Sequence, residues 1–196
     1  RQHGSGPFEQ VVGCAIKLQQ SRFVVGIGVG GDEAQCATAE FAPGFDRARA
    51  AGLHTTIHAG ETRGPESVRE ALELLRPDRI GHGLRTIEDA ALLDALAASG
   101  TCIDICAISN LKTGVWPGSA PHPAHEFYKR GVTLSVSTDD PGIFGSTLLD
   151  EYAYLHERGG FSLAELESLA RGSFACSFMA EDERAAMAAP AHTQRL

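Results

Sequence analysis

The chain has 196 residues, of which 43% are hydrophobic, and a formal net charge of −8 at pH 7. A chain of this size can bury a substantial core, and its acidic balance without any basic run argues against nucleic acid as a partner. No stretch approaches the roughly 18 apolar residues of a membrane span, and no signal-peptide layout is seen. The simplest expectation is a single domain over residues 1–196 in the cytoplasm, with no membrane partner.

Apolar periodicity predicts alternating helices and strands. The predicted helices cover residues 8–20, 45–51, 65–76, 87–98, 124–130, 148–158 and 162–179. The predicted strands cover residues 23–29, 53–58, 79–82, 101–108 and 132–137. This alternation is typical of an α/β fold with a parallel sheet. The tail from Ala188 is expected to fray.

The five cysteines are odd in number and include no Cys-x-x-Cys pair, which favours neither a disulfide framework nor a zinc finger. They are Cys14, Cys36, Cys102, Cys106 and Cys176. Cys102 and Cys106 lie about 13 Å apart along a strand at ~3.3 Å per residue, so they are not expected to share a metal. We expect reduced core cysteines in a reducing compartment.

The first candidate site is His58-Ala59-Gly60-Glu61, at the end of the second predicted strand. An imidazole can bind a metal, and a glycine-containing turn can bring the Glu61 carboxylate back over the same pocket. A lone histidine at a strand end is more often structural, so this motif is not sufficient by itself. His54 shares a strand face with His58 but lies about 13 Å away at ~3.3 Å per residue. We interpret His54 as a core or second-layer histidine.

Two later strands end in similar chemistry. Arg79-Ile80-Gly81-His82-Gly83 is a short apolar strand with a terminal histidine, and Thr138-Asp139-Asp140-Pro141 follows the last predicted strand. In a β/α barrel the carboxyl ends of the strands meet at one mouth, where active sites lie. The two aspartates cannot point the same way from a regular strand, so they are expected to have different roles. A solvated Asp-Asp-Pro turn would be the alternative without the two histidine strands.

The three motifs, in this order, resemble the adenosine deaminase family of metal-dependent amidohydrolases. The resemblance runs from about residue 24 to about residue 154 and covers the latter part of the family's TIM-type (β/α) barrel. The family usually has Cys-Pro-x-Ser-Asn after its next strand, and this chain reads Cys106-Ala107-Ile108-Ser109-Asn110. The proline is lost, but the Ser-Asn pair is kept.

The resemblance implies zinc-dependent hydrolytic deamination of adenosine or a related 6-aminopurine nucleoside, with release of ammonia. His58 and Asp139 would bind a single Zn²⁺ ion. Glu61 would protonate the purine ring nitrogen beside the reacting carbon, and His82 would orient the attacking water and take part in its deprotonation. The expected purine contacts are Gly31, through its backbone amide, and Asp140.

Part of the family pattern is missing from this sequence. The family supplies two more zinc ligands from a His-x-His motif on its first strand, and the chain contains no His-x-His. Five predicted strands cannot close an eight-stranded barrel, so the first three strand-helix units are absent and the sheet edges are open to self-association. Three explanations are left: a fragment of a longer enzyme, a chain completed by another chain, or a shortened inactive relative.

The alternative function is therefore a truncated, non-catalytic relative that binds purine nucleoside or acts in assembly. A metal-free scaffold with coincidental motifs is the third alternative. His122 and His125 lie in or beside a loop rich in proline and glycine. They are expected to be surface or capping residues rather than metal ligands.

Overall fold

The fold is organised around one sheet of five parallel strands. The computed structural model describes residues 1–21 and 23–188. The strands are β1 (Gly26–Val29), β2 (His54–Ala59), β3 (Arg79–His82), β4 (Cys102–Ile105) and β5 (Leu134–Val136). They lie side by side in chain order, each parallel to the next. The predicted α/β class and the open, five-stranded part of a barrel are confirmed, with β1 and β5 at the two margins of the sheet.

Helices connect the strands and continue beyond β5. They are α1 (Ser5–Leu18), α2 (Ala42–Ala50), α3 (Pro65–Glu70), α4 (Ala90–Ser99), α5 (Ala107–Lys112), α6 (Ala124–Lys129), α7 (Pro141–Phe144), α8 (Leu148–Glu157), α9 (Leu163–Ser173) and α10 (Glu181–Ala188). Among residues 1–21 and 23–188, no helix has the length and apolar character needed to cross a bilayer. The tail that was expected to fray lies, beyond Ala188, outside the described residues.

Several predicted elements have different bounds in the structure. The helix predicted over residues 65–76 is α-helical to Glu70 and continues to Leu75 as a π-helical turn. The predicted strand over residues 101–108 stops at Ile105, and α5 begins at Ala107. The backbone N–H of Ile108 donates to the buried carboxylate of Glu151 at 3.1 Å, and an acidic group at this position stabilises the start of a helix. The predicted helix over residues 162–179 ends at Ser173 and continues as a 3₁₀ turn.

The two faces of the sheet differ in character. One face carries a row of paired, buried apolar residues that pack in the hydrophobic core with the helices. These are Val29, Ile57, Ile80, Ile103 and Leu134. The opposite face carries polar residues at the neighbouring positions, including Thr56, His58, Asp104 and Ser135. This polar face corresponds to the interior of a closed barrel and presents the candidate site.

A disulfide joins Cys102 of β4 to Cys176 in the 3₁₀ turn after α9. The expectation of reduced cysteines is therefore wrong for this pair, while Cys14, Cys36 and Cys106 are free. The two bonded residues are 74 positions apart in the chain. Only the return of the chain after α9 brings them together, which cysteine spacing does not reveal.

Candidate active site at the carboxyl edge of the sheet

Four of the six predicted site residues converge at the carboxyl edge of the sheet. The metal-binding atoms of His58, Glu61 and His82 all lie within 4.8 Å of one another, and the same holds for His82, Cys106 and Asp139. His82 belongs to both groups. Its ring meets the His58 ring edge to face with centroids 4.8 Å apart, and its Nε2 lies 3.6 Å from Glu61 Oε2. A cavity of about 310 Å³ adjoins these groups.

Two glycines make this convergence sterically feasible. Gly60 has φ of 71°, and a Cβ at this position would lie 2.5 Å from Val68 Cγ2. The turn that returns Glu61 to the site therefore requires glycine. A Cβ on Gly81 would lie 2.8 Å from His58 Cδ2, so the His58 ring rests directly against the backbone of β3.

His82 and Asp139 both have left-handed backbone conformations, with φ of 68° and 57°. Such conformations in residues other than glycine cost about 1–3 kcal/mol each and cluster at functional sites. By strand alternation His82 would continue the apolar face of the sheet, but the left-handed residue ends the strand and its ring contacts His58 instead. Ser109 Oγ donates a 2.7 Å hydrogen bond to Asp139 Oδ2 and holds that carboxylate.

Glu33 organises the turn that carries Glu61. Its buried carboxylate accepts hydrogen bonds from the backbone N–H groups of Gly60 at 2.9 Å, Glu61 at 2.7 Å and Thr62 at 3.1 Å, and from the hydroxyl of Ser67. In this part of the chain the sequence predicted a role only for Gly31, and Glu33 was missed. Glu33 lies two residues after the Gly30-Gly31 pair, and no local pattern links it to the distant turn at Gly60.

The surroundings of the cluster change the acidity of its members. Burial, with the nearby charges of Asp139 and Glu33, raises the pKa of Glu61 to about 7. Burial and then the proximity of His58 lower the pKa of His82 to about 4, and burial also lowers the pKa of His58. Glu61 can therefore hold a proton near neutral pH while both imidazoles are neutral, as proton transfer and metal binding require.

The interpretation of His122 as a surface residue is wrong, but its capping role is confirmed, because its Nδ1 accepts a 3.2 Å hydrogen bond from the backbone N–H of Ala124 at the start of α6. His122 is buried, and its Nε2 lies 3.2 Å from Asn110 Oδ1, while Asn110 Nδ2 lies 3.2 Å from His82 Nδ1. Burial lowers the pKa of His122 to about 4. The loop before α6 folds inward behind β3, which no local pattern in the sequence indicates. His125 is partly buried, with its Nε2 3.2 Å from a Glu165 oxygen.

Two cavity-lining residues, Asp104 and Cys106, were also missed as parts of the site. Asp104 accepts a hydrogen bond from Ser135 Oγ, and burial raises its pKa. Burial also raises the pKa of the Cys106 thiol, with a further contribution from Asp139. A charged residue inside an otherwise apolar strand was the signal that could have identified Asp104.

Three other histidine and substrate predictions lie outside the cluster. His54 lies at the opposite end of β2 with its side chain 43% exposed, so it is neither a core nor a second-layer residue. Gly31 is exposed, with φ of 84°, beyond the end of β1. Asp140 is exposed at the start of α7, where its backbone carbonyl accepts hydrogen bonds from the helix. Purine binding by Gly31 and Asp140 stays a prediction.

The donor set fits a zinc ion. Imidazole nitrogen, carboxylate oxygen and thiolate sulfur are the ligands that zinc takes in proteins. His58, Glu61, His82 and Asp139 present the first two types in two overlapping groups, each confined within 4.8 Å. The second group also includes Cys106, but the raised pKa of its thiol disfavours the thiolate. The site can thus combine a metal with a carboxyl group that carries a proton.

The sequence profile of the Adenosine deaminase family matches residues 4–192. An adenine deaminase from Agrobacterium fabrum is 42% identical over 181 residues, which is 91% of this chain and 55% of that protein. The chain thus spans little more than half the length of this relative.

Solved structures give the same result. The crystal structure of adenine deaminase from Arthrobacter aurescens is 29% identical and superposes with a TM-score of 0.79, over 90% of this chain and 56% of that one. The Arabidopsis N6-mAMP deaminase is 26% identical with a TM-score of 0.85, over 95% and 55%. Sequence and structure both place the similarity in the same part of a TIM-type barrel. The chain belongs to the adenosine deaminase family.

Proposed function

We propose that this chain carries the carboxyl-terminal part of the centre of a zinc-dependent deaminase that acts on a 6-aminopurine. The observation that supports this proposal is the convergence of His58, Glu61, His82 and Asp139 at the carboxyl edge of the sheet, in two groups of metal-binding atoms. A zinc ion bound there would supply the nucleophile, because it lowers the pKa of its water toward ~7. His58 and Asp139 are the proposed zinc ligands.

The proton for the purine is assigned to Glu61. Its raised pKa of about 7 leaves a large protonated fraction at neutral pH, as a general acid requires. Protonation of the ring nitrogen beside the reacting carbon makes that carbon electrophilic. His82, 3.6 Å from Glu61, faces the same space and is proposed to orient the attacking water. Gly31 and Asp140 are proposed to bind the purine.

The comparisons change the expected substrate. The curated relative is named adenine deaminase, and one solved neighbour is an N6-mAMP deaminase. Adenosine, the first expectation from the motifs, therefore gives way to adenine or an adenine nucleotide, with ammonia as the second product. We propose adenine as the substrate because the curated relative and one of the solved structures are named adenine deaminase.

The first experiment measures zinc content and ammonia release on the purified 196-residue chain. Zinc is supplied at increasing concentration, bound metal is measured by atomic absorption, and adenine, adenosine and AMP are compared as substrates. Near-stoichiometric zinc with ammonia release from adenine supports the proposal. Adenine binding without ammonia release would support the alternative, a non-catalytic relative that binds the purine.

Two variants separate metal binding from proton transfer. Glu61→Gln removes the transferable proton but keeps the size of the side chain, so turnover should fall by more than about 100-fold while zinc content is unchanged. His58→Ala removes a proposed ligand and should lose both zinc and turnover. Equal zinc loss in the two variants would show that this division of roles is wrong. Location in the cytoplasm and self-association through the open sheet edges stay predictions.

A further inference from the structure

A buried series of hydrogen bonds extends from His82, on the side of its ring that faces away from Glu61. It consists of the Asn110 side chain in α5, the His122 ring, and the backbone N–H of Ala124 at the start of α6. The side chains of Asn110 and His122 are about 1% and 2% exposed. Neither residue belongs to the groups of metal-binding atoms, and the proposed chemistry gives neither of them a role.

The backbone N–H of Ala124 determines which atoms donate and which accept in this series of hydrogen bonds. A backbone N–H can only donate, and that of Ala124 meets His122 Nδ1 at 3.2 Å, so this nitrogen is an acceptor. The ring hydrogen of His122 must then be on Nε2, which donates to Asn110 Oδ1 at 3.2 Å. The opposite orientation of the Asn110 amide would set two donors against each other.

The same direction continues to His82. With its oxygen engaged by His122, Asn110 presents its amide nitrogen to His82 Nδ1 at 3.2 Å, and this nitrogen must accept. A neutral imidazole carries one hydrogen, so His82 carries it on Nε2. Nε2 is the nitrogen that lies 3.6 Å from the Glu61 carboxylate.

We propose that Asn110 and His122 are positioning residues that hold His82 in the tautomer with hydrogen on Nε2, so that His82 offers a hydrogen-bond donor to the active site. The catalytic meaning of this assignment rests on the proposed function. A nitrogen that already carries hydrogen cannot accept a second one from water. His82 therefore orients an oxygen in the site by donation and does not act as the base.

The need for such bracing follows from the backbone. His82 has φ of 68°, a left-handed conformation that costs about 1–3 kcal/mol and persists only where the surrounding contacts hold it. Asn110 holds the ring from behind. Its neighbour Ser109 holds the Asp139 carboxylate at 2.7 Å, so the first turn of α5 braces both left-handed residues of the site.

The test is a long-range ¹H–¹⁵N correlation spectrum of the ¹⁵N-labelled chain, recorded after removal of metal by a chelator. The spectrum distinguishes an imidazole nitrogen that carries hydrogen from one that does not. The His82 signals are assigned by their loss in His82→Gln. We expect hydrogen on Nε2 alone in the wild-type chain. A bare Nε2, or an equal mixture of the two tautomers, would overturn the proposal without any variant.

Asn110→Asp reverses the direction of the bond. A carboxylate can accept from His82 and from His122 but cannot donate to His82, so the His82 hydrogen should appear on Nδ1. His122→Gln removes the ring that orients the amide, and the His82 signals should then average between the two tautomers. Unchanged His82 signals in either folded variant would contradict the positioning role.

His125→Gln is the matched control, because it removes a neighbouring histidine whose Nε2 faces Glu165 rather than this chain of hydrogen bonds. It should leave the His82 signals in place. The spectra do not depend on turnover. Failure to release ammonia from adenine would therefore count against the proposed function alone, and a wrong tautomer would count against the proposed positioning alone.

Discussion

His54 and His58 lie at the amino and carboxyl ends of the same strand, β2, and their surroundings differ. His54 Nδ1 is 3.3 Å from the Asp78 carboxylate, and its ring stacks on Phe178 with centroids 4.4 Å apart. The His58 ring instead contacts the His82 ring, with centroids 4.8 Å apart, and burial lowers the pKa of His58. One end of β2 thus pairs complementary groups, while the other brings similar groups together.

The amino edge, where the amino ends of the strands lie, contains further contacts between complementary groups. Asp78 also accepts a 2.7 Å hydrogen bond from the backbone of Thr55. The Arg79 guanidinium lies 4.6 Å from the centre of the Phe178 ring. The disulfide of Cys102 closes the same end of the sheet. Each of these contacts favours the folded chain.

The carboxyl edge combines features that work against stability. Glu61 is close enough to two other carboxylates that both raise its pKa, and two residues have left-handed backbones. Buried groups with shifted pKa values and strained backbones are typical of functional sites. The difference teaches that the amino edge stabilises the sheet and that the carboxyl edge is specialised for chemistry.

The largest effect on stability should come from the amino edge. Replacing both Cys102 and Cys176 by alanine opens a loop of 74 residues, and loop-closure entropy then predicts a loss of about 4 kcal/mol in the free energy of unfolding. Urea denaturation measures this loss. Cys14→Ala, at an exposed free cysteine, is the control. A double variant as stable as this control would show that the disulfide does not support the fold.

The second effect concerns the carboxyl edge. Glu33→Gln keeps the shape of the side chain but replaces one acceptor oxygen by an amide that faces backbone donors, so stability should fall by about 2–3 kcal/mol. Glu73→Gln, at an exposed carboxylate, should change stability very little. If both variants lose the same small amount, Glu33 does not hold the Glu61 turn.

The third effect depends on pH. The pKa of Glu61 is raised from 4.5 to about 7, so the folded chain binds more protons than the unfolded chain in this range. Glu61 therefore makes stability fall as pH rises from 4.5 to 7, by on the order of 2–3 kcal/mol. Glu61→Gln should remove this contribution.

The measurement is the difference between the two unfolding free energies at several pH values, with metal removed. His82 and His122 have lowered pKa values and make stability rise with pH between about 4 and 6.5, but they do so in both proteins. Their contribution therefore cancels in the difference. A difference that stays constant with pH would mean that Glu61 is already ionised at pH 5.

Sequence reasoning located the carboxyl edge well. Strand ends can be read from short apolar runs, and parallel topology then brings their final residues together, so His58, Glu61, His82 and Asp139 could be placed without coordinates. The five strands and their open arrangement followed from the same alternation. Periodicity and turn residues are local signals, and the positions of the strand ends depend mainly on them.

The parts that sequence reasoning missed depend on contacts between distant residues. His122 reaches the site only because a loop folds inward, and Glu33 acts through a turn 27 residues further on. The Cys102–Cys176 bond depends on the return of the chain after α9. None of these partners has a fixed spacing, so no local pattern could have identified them.

The smallest effect should come from His54→Ala at the amino edge. The His54 and Asp78 side chains are 43% and 45% exposed, and exposed ion pairs contribute less than about 1 kcal/mol, so stability should change very little. Zinc binding should not change at all, because His54 lies at the opposite end of the strand from the donor groups. Titration with zinc, alongside His58→Ala, provides the measurement. Comparable zinc loss in the two variants would place the metal away from the carboxyl edge and remove the distinction between the two ends of β2.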